Sequence, residues 1–181
     1  MSPEPELRDA LLAAVPSLRA FAISLCGQVD RADDLVQDTL LRALSHIDRF
    51  ERGTNLNAWL FTILRNLFHS EYRKRRREVE DPDGSYAGRL KTQPEQGARL
   101  DFEDFRVALA KLPPDQREAL LLVGASGFSY EEAANICECA VGTIKSRVNR
   151  ARSRLAKLLA VDDVADLGPD GMTRAALQAV G

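Results

Sequence analysis

Cys137 and Cys139 stand two apart in CECAVGTIKSR, residues 137–147, directly before a basic run. Thiols at that spacing raise two chemistries, zinc ligation and thiol–disulfide exchange. A structural zinc site needs four Cys or His ligands at workable separations. The other thiol is Cys26 and the histidines are His46 and His69, all in the opposite half of the chain. Cys-x-Cys also lacks the Cys-x-x-Cys spacing of a redox pair. Too few cysteines remain for a disulfide framework. They are therefore assigned to packing, and neither a metal nor a cofactor is expected. With no glycine-rich phosphate loop and no clustered ligands, the sequence does not read as an enzyme.

The other chemistry on offer is that of cations. Basic residues gather at Arg73, Lys74, Arg75, Arg76 and Arg77, and again at Lys145, Arg147, Arg150, Arg152, Arg154 and Lys157. Acids gather at 30–38, at 78–83 and after Val161. The formal net charge is only −2, so bulk charge does not drive polyanion binding. Two segregated basic patches predict two local sites for a polyanion instead.

Those patches need elements to hold them. Apolar residues recur at helical spacing near 6–26, 31–47, 55–77, 101–111, 115–124, 129–137 and 141–160, and no stretch alternates as a strand does. The fold class is all-α: two small helical domains, 1–77 and 99–161, joined by a flexible linker over 78–98 and followed by a tail over 162–181. The linker, with two prolines, three glycines and no apolar stripe, reaches at most roughly 70 Å when extended. No apolar run is expected to cross a bilayer, and MSPEPELRD lacks the layout of a secretion signal. A cytoplasmic protein without membrane insertion is the expectation.

In the C-terminal half, Ser129-Tyr130-Glu131-Glu132 has the pattern of a capping box. Small residues Ala133 and Ala134 follow, then a turn at 137–139 and a new helix near 140–142, the spacing of a helix-turn-helix. At 100° per residue, Ile144, Val148, Ala151, Leu155 and Leu159 share one face, which predicts burial. The opposite side presents Gly142, Ser146, Asn149, Arg150, Ser153 and Lys157, flanked by Lys145 and Arg147. Thr143, Lys145, Ser146, Arg147, Asn149 and Arg150 are the candidate DNA contacts, since Arg and Asn can grip base edges bidentately in the major groove. Glu138 occupies the turn position where glycine is common. A left-handed backbone there costs roughly 1 to 2 kcal/mol, which predicts a turn of another geometry.

In the N-terminal half, Leu35, Val36, Thr39, Leu40, Ala43 and Ile47 make one face of a helix, and Asp34, Gln37, Asp38, Leu41 and Ser45 the other. Leu41 beside two acids fits a contact surface for a basic protein, or is one of the ordinary exposed leucines. Gly53-Thr54-Asn55 reads as a stop and cap. The next helix carries Leu56, Trp59, Leu60, Ile63 and Leu67 as its buried stripe. Phe61, Phe68 and Tyr72 form a second, aromatic line beside Arg65, His69, Arg73 and Arg76. Aromatics next to cations suit single-stranded nucleic acid; Phe61 and Phe68 are assigned instead to packing on the first helix.

DDLVQDTLLRAL (33–44), NAWLFTILRNLFHSEYRKRRR (57–77), LPPDQREALLL (112–122) and SYEEAANICECAVGTIKSRVNRARSRL (129–155), in this order, resemble the bacterial extracytoplasmic-function sigma factors of the sigma-70 family. The cysteine-bearing turn and VGTIKSRVNRAR are most similar to the general-stress-response branch of alphaproteobacteria. The resemblance implies a region 2-like domain that docks on core RNA polymerase through Asp34, Gln37, Asp38 and Leu41. The same domain would read and melt the minus-10 element through Asn66, His69, Ser70, Arg73 and Arg76, with one base flipped into a pocket near 66–72. It implies a region 4-like domain reading the minus-35 element, and an anti-sigma factor as a further partner. A helix-turn-helix by itself also fits a stand-alone transcription regulator.

Overall fold

The structure, a computed structural model, describes residues 5–78 and 98–159. The chain divides into two units, Met1–Tyr86 and Ala87–Gly181. The described residues are helical, with no strand among them. The linker expected over 78–98 lies outside them except for its two end residues, and the tail over 162–181 lies outside entirely.

The first unit packs α1 (Pro5–Cys26), α2 (Val29–Ser45) and α3 (Leu56–Glu78), with a single 3-10 turn at Ile47–Arg49. Leu11, Ala14, Leu18, Phe21 and Leu25 recur every three or four residues along α1 and are buried, with Ala22 beside them. On composition α1 is long and apolar enough to cross a membrane, contrary to the expectation from the sequence. Its apolar side is instead spent on the core of the unit. Gly27 ends α1 in the left-handed region, φ +69°, its amide donating to the Ile23 carbonyl at 2.8 Å. Asn55 caps α3, its Oδ1 accepting from the Ala58 amide at 3.2 Å.

The buried side of α3 is turned from the expected one. Leu60, Phe61 and Leu64 are the fully buried residues, and Phe61 packs on Phe21 with ring centroids 5.0 Å apart. Trp59, Leu56, Ile63 and Leu67 are only half-buried; Trp59 leans on Phe50, 5.3 Å between centroids. The cause is that α3 packs against both α1 and α2, so its inner surface is broader than one stripe and is centred on Phe61.

The second unit holds α4 (Ala98–Ala110), α5 (Pro114–Leu120), α6 (Tyr130–Cys137) and α7 (Val141–Leu159). Pro114 at the first helical position and Asp115 in the first turn start α5, the arrangement that spares an amide and favours negative charge there. The helix expected over 115–124 does not stay α. From Leu121 to Ala125 it widens into a π turn, with the Ser126 amide donating to the Leu121 carbonyl at 2.9 Å and Phe128 to Leu122 at 3.1 Å. Phe128, which follows this widening, is buried, as are Leu120, Leu121 and Leu122. Arg117 is half-buried, and desolvation pulls its pKa below the ordinary guanidinium range, with Glu118 opposing.

Candidate nucleic-acid and protein interfaces

The helix-turn-helix is built as its residues dictate. The Ser129 hydroxyl accepts from the Glu132 amide at 3.1 Å while the Glu132 carboxylate accepts from the Ser129 amide at 2.9 Å, a complete capping box at the start of α6. Ala133 and Ala134 are buried where α7 crosses. Glu138 then adopts φ 53°, ψ 47°, so the turn is left-handed after all. Two bonds close it: the Glu138 amide to the Asn135 carbonyl at 3.3 Å and the Cys139 amide to the Ala134 carbonyl at 3.0 Å. That pair is a Schellman motif with Glu in the position usually held by glycine. The two bonds satisfy carbonyls that would otherwise end the helix unpartnered, which offsets the strain of the Glu138 backbone. Cys137 is buried in the core and Cys139 half-buried in the turn. Among the described residues no three His, Cys, Asp or Glu side chains come together as a metal site.

Helix α7 buries Ile144, Val148, Ala151 and Leu155, with Ala156 added to the predicted face and Leu159 only half-covered. Its outer side exposes Lys145, Asn149 and Arg150, with Thr143 and Ser146 half-exposed. The Ser146 hydroxyl donates to the Gly142 carbonyl at 2.8 Å. Lys145 Nζ lies 5.7 Å from the centre of the Tyr130 ring, which steers it along the surface. Arg147 stands apart from these. Its Nε is 3.3 Å from Asp115 Oδ2, and its Nη1 is 3.9 Å from Cys139 Sγ. A Cβ at Gly142 would meet nothing within 4 Å, so no internal contact requires glycine there.

In the first unit the end of α3 gathers the second set. Asn66, Ser70, Arg73 and Arg76 are exposed and His69 is half-buried. Phe68 and Tyr72 stack with centroids 6.4 Å apart and planes 26° apart, and Phe68 meets His69 edge-on at 5.4 Å. Tyr72 remains 48% exposed, so one aromatic face is open beside the cations. Arg73 Nε donates to the His69 carbonyl at 3.3 Å. Arg75, Arg76 and Arg77 lie in the last turn, where positive charge also favours the helix itself.

On α2, Asp34, Gln37, Asp38 and Leu41 are exposed together, Leu41 at 64%. Asp33 is not available in the same way, because Arg19 Nε donates to its Oδ1 at 2.6 Å; that contact also raises the Arg19 pKa. Leu44, three residues beyond Leu41 and 41% exposed, extends the strip. The sequence reading missed it, although the spacing of three was visible. Exposed leucines bracketed by acids are suited to an apolar and basic protein surface rather than to nucleic acid.

Comparison with known proteins gives the family of both units. "Sigma-70 region 2" matches residues 12–78 and "Sigma-70, region 4" matches residues 102–155. The chain is 74% identical over 171 residues to the ECF RNA polymerase sigma factor EcfG of Rhodopseudomonas palustris (strain TIE-1), covering 94% of each. It is 38% identical over 154 residues to the ECF RNA polymerase sigma factor SigC of Mycobacterium tuberculosis (strain CDC 1551 / Oshkosh), covering 83% of this chain and 78% of that one. Among solved structures it is similar to the sigma factor RpoE of Bartonella quintana, in co-crystals with the anti-sigma factor NepR. The TM-score is 0.79 at 57% identity, over 88% of this chain and all of that one.

Proposed function

Since the chain belongs to the sigma-70 family, as an extracytoplasmic-function sigma factor that takes core RNA polymerase to promoter DNA, we propose that three of its surfaces divide that work. The exposed strip Asp34, Gln37, Asp38 and Leu41 docks on core polymerase. The end of α3, through Asn66, His69, Ser70, Arg73 and Arg76, holds the minus-10 element, with the open Tyr72 ring beside a separated base. The outer side of α7, through Thr143, Lys145, Ser146, Asn149 and Arg150, reads the minus-35 element in the major groove. The role is recognition coupled to strand separation, and polymerase performs the bond chemistry. Such a factor works in the cytoplasm, where polymerase and promoter meet.

A flipped base costs a few kcal/mol of unstacking. Stacking on an aromatic ring returns about 1 to 3 kcal/mol per base, and the arginines add phosphate contacts. Phosphates at the N-terminus of α7 gain from its free amides. The Bartonella relative is known in complex with an anti-sigma factor, and at 57% identity we carry that class of partner over to this chain. The resemblance to the stress-response branch carries over a role in stress-induced transcription.

The observation that carries this reading is the exposed acidic and apolar strip of α2, which a stand-alone DNA-binding regulator has no use for. Purified core polymerase and the full chain, given fragments of genomic DNA, are expected to initiate transcription from discrete sites with no other factor added. Failure to initiate, together with tight binding of the chain alone to duplex DNA, would identify a stand-alone regulator.

A further inference from the structure

Arg147 lies on the reading helix, yet its surroundings set it apart from its neighbours. The guanidinium is held between Asp115, in the first turn of α5, and Cys139, in the turn before α7. Its side chain is 25% exposed, whereas Lys145, Asn149 and Arg150 are exposed. One planar fork thus ties three segments of the chain together: the start of α5, the turn and the first third of α7. Asp115 is also half exposed, at 51%, so its charge is present on the same surface. A carboxylate there repels phosphate oxygens from the spot that Arg147 would otherwise offer them.

We propose that Arg147 is a positioning residue of the minus-35 reader and not one of its DNA contacts, with Asp115 as the partner that makes it so. This rests on the assignment of α7 to minus-35 recognition. A side chain that reads a base edge must be held within about 0.5 Å and 10–20° of its working geometry. Asn149 and Arg150 follow Arg147 by two and three residues, so a clamp at 147 fixes the part of α7 that carries them. Lysine would not replace it, being a point charge without a fork that reaches two partners. The second effect of the pair is subtractive. By neutralising one cation of the basic face, Asp115 lowers affinity for DNA of any sequence and leaves discrimination to the residues that read bases.

Two measurements on the full-length chain test this. In the first, the chain loaded on core polymerase binds a promoter library randomised across the upstream hexamer, and bound DNA is sequenced. In the second, the free chain binds a short duplex of random sequence between about 50 and 200 mM potassium chloride, and the slope of log affinity against log salt is read. Wild type is expected to enrich a hexamer. Arg147→Ala is expected to flatten that enrichment about tenfold and to leave the salt slope unchanged. Asp115→Asn, at a half-exposed site that tolerates the change, is expected to flatten it as well. It should also steepen the slope by about 0.9, the signature of one added phosphate contact by the released arginine. The double variant should match Arg147→Ala alone. A slope shallower by about 0.9 in Arg147→Ala, unchanged enrichment in either single variant, or additive losses in the double variant would each overturn the proposal. Absence of any enriched hexamer in wild type would instead remove the minus-35 assignment of α7 on which it stands.

Discussion

Glu138 takes a left-handed backbone in the turn between α6 and α7, φ 53° and ψ 47°. Its sequence position marks the turn, and the cost of a left-handed backbone argues for another geometry. The structure accepts that cost because two backbone bonds, Glu138 to Asn135 and Cys139 to Ala134, depend on it. Those bonds are local, closing the end of α6 over three and five residues, and hydrophobic periodicity does not report them. Glu138→Gly is expected to raise stability by about 1 kcal/mol, measured by urea denaturation, because glycine adopts φ 53° without strain. Arg150, exposed on α7, is expected on replacement by Ala to weaken minus-35 recognition by about 1 to 3 kcal/mol. Footprinting of the holoenzyme on a promoter with an intact and a scrambled upstream element would measure it. The candidate residues of α7 were legible because exposure there follows directly from the 3.6-residue period. The ion pair of Arg147 with Asp115 was not, since 32 positions of chain separate the partners and only the fold brings them together.

Among the elements, the helices were legible in number and approximate extent, since long apolar-periodic segments bounded by caps and prolines leave few alternatives. What the sequence did not yield was how widely each helix is buried. A helix packed against one neighbour needs a single stripe; α3 packs against two, and its centre shifts to Phe61 and Leu64. The polar side of α2 was read correctly, and its exposed strip is open to a direct test. Asp38→Arg is expected to lower affinity for core polymerase at least several-fold at low salt, since reversing a rim charge acts chiefly on encounter and is screened as salt rises. Competition against the unaltered chain in a pull-down with core polymerase would read it. Gly142 bears on the start of α7. Its Cβ would meet nothing within the chain, so Gly142→Ala is expected to stabilise the free protein by up to about 1 kcal/mol. The same methyl group is expected to weaken minus-35 binding by crowding a phosphate. Paired thermal denaturation and holoenzyme competition would separate the two effects.

At the scale of the whole molecule, the near-neutral net charge of −2 hides local clusters of each sign. The largest basic clusters sit on α3 and α7 and an acidic one on α2, so overall charge alone predicts little about its partners. Each unit also encloses its own apolar centre. Leu60 is fully buried in the first unit, and Leu60→Ala is expected to cost that unit about 2 to 5 kcal/mol. Amide hydrogen exchange should report the loss along α1, α2 and α3, with a smaller change along α7. Within the second unit, the π turn at Leu121–Ala125 has an effect that reaches far past its five residues. Its wide backbone bonds, Ser126 amide to Leu121 carbonyl and Phe128 amide to Leu122 carbonyl, end the helix and lead the chain toward α6. The point at which the chain leaves α5 for the helix-turn-helix is thus fixed by main-chain bonds, so side-chain replacements there leave that exit in place.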